Sequence, residues 1–205
     1  MTEKPWGGRR RPPTMLKFAL RRATQRKPRL LSAVLWECRS AWLADSTRLR
    51  VACERAVRFA DMPQTAANRK KMSQRFIVSN TDAHEAATET VTILAQRDLR
   101  FPDAALTWYL HEIFGPTGRP FRPQKAWLTS TVVALAQGIY DDSAFDRLPI
   151  LADALMDAGC DDERVLSHCR VETAWAMPPD ETTYSRPAPT HVRGCWVIDM
   201  LLGKS

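Results

Sequence analysis

No run of apolar residues in this 205-residue chain is long enough to cross a membrane. Its longest uncharged stretch of note, Ala126 to Tyr140, is broken by Thr129, Ser130, Thr131 and Gln137. That falls short of the ~20 apolar residues a spanning helix needs, so no transmembrane helix is expected. No secretory leader is expected either. The Arg-rich start, Met1 to Pro13, runs on into Lys17, Arg21, Arg22, Arg26 and Lys27, where an apolar stretch would be required. The expected setting is the cytosol. Cysteine is scarce and odd in number: Cys38, Cys53, Cys160, Cys169 and Cys195 are spread widely, which fits reduced thiols and argues against a disulfide framework.

Catalytic signatures are lacking too. His111-Glu112 has Gly115 four residues after the histidine, where a metalloprotease helix needs a second histidine. Gly115 to Gly118 lacks the Lys-Ser or Lys-Thr of a phosphate-binding loop and follows a predicted helix, where such loops follow a strand. Asp141, Asp142 and Asp146 fit a helix end and the next helix start. Asp153 and Asp157 have the one-turn spacing of a solvated helix face, so neither set reads as an acid–base pair. Cys160 lies just before a predicted helix N-terminus, which lowers a thiol pKa, but Asp161, Asp162 and Glu163 beside it push the other way. No catalytic residue and no cofactor is expected, and an enzyme of unknown chemistry stands third among the readings.

What the chain does contain is helical periodicity. With 44% hydrophobic residues it can bury a sizeable core, and apolar residues recur at helical spacing and almost nowhere at strand spacing. The expected fold is all-α, a multi-helix bundle of helical hairpins forming one compact body, with residues 1–13 as a disordered basic arm. Residues 14–114 make an N-terminal helical region. Thr14 is the expected cap of a short helix through Arg22, and a second helix carries Leu31, Val34, Leu35, Cys38 and Trp42, with Pro28 in its first turn. Leu49, Cys53, Ala56, Val57 and Ala60 form a third, which Met62-Pro63 ends. The segment 64–98 has a weaker stripe, a break at Ser79-Asn80 and a restart at Asp82 and Glu85, which have capping-box spacing. Pro102-Asp103 open a helix with Leu106, Tyr109, Leu110, Ile113 and Phe114, closed by Gly115.

Residues 115–125, rich in proline and glycine, are a linker or packed loop. A C-terminal helical region, 126–205, follows. One helix there carries Trp127, Val132, Leu135, Ala136, Ile139 and Tyr140. Another, ending at Gly159, buries Phe145, Leu148, Ile150, Leu151, Ala154 and Leu155. Asp161 or Asp162 caps a third to about Arg170, residues 172–190 form an exposed insertion with four prolines, and a short last helix contains Trp196, Val197, Met200 and Leu201.

Charge is divided unevenly. Residues 1–75 hold nineteen Lys and Arg against five Asp and Glu, and residues 76–205 hold eleven against eighteen. Arg9, Arg10, Arg11, Lys17, Arg21, Arg22, Arg26, Lys27 and Arg29 are the candidate nucleic-acid contacts, since each neutralised phosphate adds counterion-release free energy without base reading. Trp175, inside the insertion, is the candidate anchor for a protein partner. Cys160, His168, Cys169, His191 and Cys195 have donor atoms suited to zinc, but His168 and Cys169 point about 100° apart on a helix and no pair of close-spaced knuckles is present. Core packing is the expected role of these five, and no metal is expected.

Several runs carry a resemblance. Trp127 to Asp141, Ala144 to Ala154, Asp157 to Cys160 and His191 to Asp199 with Leu202-Gly203-Lys204 are similar to a paralogous family of uncharacterised planctomycete-type bacterial proteins. The N-terminal half resembles it more loosely, through Met15-Leu16, Phe18, Arg26-Lys27, Arg29-Leu30, Cys38-Arg39, Trp42 and Arg58 to Asp61. The chain departs from that pattern in its second helix, which keeps only Cys38 where the family shows several cysteines, and in the 172–190 insertion. The resemblance implies a shared fold and a bacterial cytosolic setting, with no activity attached. The expected function is a non-catalytic binding or scaffolding module acting through protein–protein contacts, including self-association between basic and acidic halves. The alternative is a nonspecific nucleic-acid-associated protein using the basic half.

Overall fold

A computed structural model describes residues 11–42, 57, 61–62, 65, 83–97, 103–118, 121–170 and 191–204, with the backbone alone at 37–42, 96–97 and 103–104. Every regular element among them is helical, which makes the protein all-α. None of these helices is long and apolar enough to cross a membrane. The contacts divide the chain into two compact units, residues 1–119 and 120–205.

The first unit contains α1 (Pro12–Leu20), α2 (Arg26–Trp42), α3 (Ala83–Arg97) and α4 (Asp103–Phe114). Proline at the first two positions starts α1 because its fixed φ suits a helix and its missing N–H would be unpaired there anyway. The carbonyl of Arg11 accepts from the amides of Thr14 and Met15, both at 3.0 Å. The cap expected of Thr14 is thus not used, and the helix begins two residues before it. Met15, Leu16 and Ala19 bury one side of α1, and Leu30, Leu31, Val34 and Leu35 bury one side of α2. In α3, Ala83, Ala86, Ala87, Thr90, Val91 and Leu94 recur three and four apart and are all buried. Its small residues let α1 and α2 pack closely on it. The amide of Ala83 at its start donates to Gln25 Oε1 at 3.2 Å, so a side chain from the α1–α2 turn satisfies one of the orphan donors of α3. Leu106, Tyr109, Leu110, Ile113 and Phe114 of α4 are buried as their spacing predicts. Gly115, at φ +79°, ends the helix in left-handed geometry, with its amide on the His111 carbonyl.

The second unit contains α5 (Ser130–Asp142), α6 (Leu148–Asp157), α7 (Glu163–Arg170) and α8 (Trp196–Leu201), with single 3-10 turns at Lys125–Trp127 and Phe145–Arg147. Thr129 caps α5 by accepting from the Val132 amide at 3.3 Å. Gly159, at φ +81°, ends the turn after α6. Asp162 then caps α7, with Oδ1 accepting from the Arg164 amide at 3.0 Å. The core joins Trp127, Ile139, Leu148, Leu151, Leu155, Val165 and Val197, among others. Ile150 corrects the expected α6 stripe: it is 57% exposed. The buried Leu148, Leu151, Ala152 and Leu155 centre on one face of the helix, and at about 100° per residue position 150 falls about 150° from that centre. The helix expected over 46–60, the break at Ser79-Asn80 and the insertion 172–190 lie largely or wholly outside the described residues.

Candidate metal centre and basic helix face

The second unit brings three of the five sequence-named donors together. His168 is in the last turn of α7. His191 opens a tight turn, and Cys195 closes it as the residue preceding α8. Within that turn the Cys195 amide donates to the Val192 carbonyl at 3.0 Å, and Gly194 takes φ +99°, a conformation that side chains with a Cβ seldom adopt. The reversal carries His191 and Cys195, four apart in sequence, to one side, where α7 presents His168. One ring nitrogen of each histidine and the Cys195 sulfur all lie within 4.8 Å of one another. His168 Nε2 is 3.3 Å from Cys195 Sγ.

The His168 ring is wedged between two others. The His191 ring stands edge-on at 4.9 Å, and the Trp196 ring is tilted at 5.3 Å. Phe121 packs edge-on against Trp196 at 5.4 Å, and the Arg164 guanidinium lies over Phe121 at 4.8 Å. Cys195 is fully buried and His191 nearly so, while His168 keeps some exposure. Such a shell fixes ring orientation and keeps water from competing for the donors.

Cys160 and Cys169 are buried in the same unit but stand outside this group. For Cys169 the reason is the one the helix dictates: it follows His168 and faces the core instead. For Cys160, burial pushes the thiol pKa up. The Asp162 and Asp161 charges add to that, and a hydrogen bond to the Asp162 backbone opposes it. An activated nucleophile needs the reverse shift. The opposite case is Asp162, whose carboxyl is held below its ordinary range, first by the Arg164 side chain and then by amides at the start of α7.

In the first unit the nine named cations separate into groups. Arg11, Lys17, Arg21 and Arg22 are exposed along the outer side of α1 and the turn after it. Arg26 is committed to the fold: its Nε donates to Asp61 Oδ1 at 2.8 Å and its Nη2 approaches the same oxygen at 2.6 Å. Both side chains are largely buried, at 17% and 6% exposure. Lys27 Nζ donates to the Ile113 carbonyl at 2.9 Å, placing a cation where the backbone dipole of α4 is negative. Arg29 is partly buried. Arg9, Arg10 and Trp175 lie outside the described residues.

Set against models of protein families, curated proteins and solved structures, the chain matches none.

Proposed function

We propose that the protein is a non-catalytic helical binding module whose exposed α1 face holds an anionic partner, and that this partner is the phosphate backbone of a nucleic acid. The reading rests on one observation: Arg11, Lys17, Arg21 and Arg22 share the solvent side of α1 and its C-terminal turn in a stretch, residues 4–36, with no Asp or Glu at all. Four cations over ~15 Å of helix match the spacing of a few phosphates. The polar character of the face favours phosphate over a protein surface. Its other exposed residues are Thr14, Thr24 and Gln25, and the large exposed apolar residues among the described residues are Met62, Leu128, Ile150 and Met156, none on α1. Protein interfaces centre on apolar and aromatic residues, which this face does not expose. The family resemblance carried by residues 127–204 belongs to the same proposal and supplies no competing activity.

A second reading, contact with a protein partner, is favoured by a different feature: Ile150 and Met156, 57% and 47% exposed, on α6 of the acidic unit. Fluorescence anisotropy of labelled single- and double-stranded oligonucleotides over a salt series separates the two. Nucleic-acid binding gives a log–log salt slope of roughly three to four on duplex. The slope falls by about one for each α1 cation changed to alanine. No binding at low salt rejects the phosphate reading and leaves the protein partner.

A further inference from the structure

We propose that His168, His191 and Cys195 form a site for a soft divalent metal ion of the zinc class, bound through two imidazole nitrogens and one thiolate. The site is in the second unit and is independent of the α1 reading.

The donor chemistry selects the ion. Imidazole and thiolate suit zinc and its soft relatives, whereas magnesium and calcium take oxygen ligands. Distances support the same assignment. A tetrahedral zinc with bonds of about 2.0–2.1 Å to nitrogen and 2.3 Å to sulfur sets nitrogen and sulfur about 3.5 Å apart. His168 Nε2 and Cys195 Sγ already stand at 3.3 Å. The widest separation within the trio, at most 4.8 Å, needs to contract by at most about 1.4 Å to reach the ~3.4–3.5 Å donor spacing of a tetrahedral site, which rotations of the two imidazole rings can supply.

The local fold also fits a ligand set. His191 and Cys195 are displayed by one glycine turn, and His168 comes from a rigid helix, its ring held between His191 and Trp196. Binding releases one proton, from the Cys195 thiol to water, and requires both imidazoles neutral. The bound thiolate offsets one of the ion's two positive charges. A tetrahedral ion takes one more ligand, a water or a carboxylate oxygen. Because His168 and His191 are 23 positions apart in the chain, the ion ties α7 to the turn before α8. It thereby contributes loop closure that the apo protein obtains from packing alone.

Without a metal, the same residues make a buried thiol–imidazole hydrogen bond, and that is the outcome to be excluded. The full-length protein, purified without chelator, is assayed for metal by plasma mass spectrometry, then stripped and titrated with Co2+. The expected result is one ion per chain, an intense tetrahedral cobalt d–d spectrum and a thiolate-to-cobalt charge-transfer band, all displaced by zinc. Zinc raises Tm by roughly 5–10 °C at saturating concentration. C195S abolishes the charge-transfer band and lowers affinity by more than roughly 10–100-fold, the loss that even an outer-sphere partner can cause. C169S, one residue from His168, and C160S leave both unchanged. A weak octahedral cobalt spectrum, a charge-transfer band that survives C195S, or a Tm indifferent to zinc overturns the site. If C195S does not fold, the wild-type spectrum together with C160S and C169S decides, because a band that either of them removes places the thiolate elsewhere.

Discussion

Residues 1–119 carry 22 Lys and Arg against 11 Asp and Glu, whereas residues 120–205 carry 8 against 12. The first unit keeps four of its cations outside on α1 while spending Arg26 and Lys27 on its own interior. In the second unit the distinctive side chains, His168, His191 and Cys195, are drawn together with little exposure. An exposed charge keeps its water and is available to a partner at small cost. A buried donor has given up water and must be satisfied where it stands. Residue type alone therefore does not assign a role: Arg21 and Arg26 are five apart in sequence, and exposure makes one a surface charge and the other a structural one.

The contrast can be broken most forcefully in the core of the second unit. Leu151→Ala should cost about 3 kcal/mol in urea denaturation, since Leu151 is fully buried. Ile150→Ala, its neighbour, should stay within about 0.5 kcal/mol. Equal costs would mean that the α6 face is misassigned.

A sharper version compares two arginines of the first unit. Arg26→Ala strands the Asp61 carboxylate, whose side chain is only 6% exposed, and should lose about 2–3 kcal/mol of stability. Arg21→Ala should leave stability within about 0.5 kcal/mol while weakening oligonucleotide binding. Thermal melts and anisotropy on the same two variants check both halves of that statement.

The smallest expected effect concerns Asp162 at the start of α7. Asp162→Ala removes an N-cap and should cost about 1 kcal/mol near neutral pH. Because the folded carboxyl titrates below its ordinary value, its contribution is complete above the unfolded pKa of about 3.9 and fades as pH falls through the lower folded value. The stability gap between wild type and Asp162→Ala should therefore be constant from about pH 5 to 7 and close below about pH 4.

Much of the fold was legible because periodicity is a local signal. The stripes of α4 and α5, the left-handed Gly115 and Gly159, and the Asp162 cap follow from spacing and backbone preference. Ile150 was misjudged because a run of consecutive apolar residues, Leu148 to Leu151, blurs which face turns inward. The N-terminus of α3 falls at the expected restart, with Ala83 as its first residue and Glu85 in its first turn, but its capping partner was hidden: Gln25, 58 residues earlier, satisfies its first amide. The donor cluster was half legible. A histidine and a cysteine four apart across a glycine already form a compact two-donor turn, and the expected core packing is seen as well, since Cys160, Cys169 and Cys195 are all buried in the core of the second unit. Its third donor, His168, comes from another helix, and only tertiary packing sets it 3.3 Å from Cys195. The division of the basic residues into exposed and committed was not legible either, because Asp61 and the Ile113 carbonyl are remote in sequence from the cations they hold.

The most direct test of this division of labour is oligonucleotide anisotropy at low salt on three proteins: wild type, the α1 variant with Arg11, Lys17, Arg21 and Arg22 all changed to alanine, and C195S. The account predicts that the α1 variant loses on the order of 100-fold in affinity, while C195S binds as wild type does. An α1 variant that still binds like wild type would contradict it.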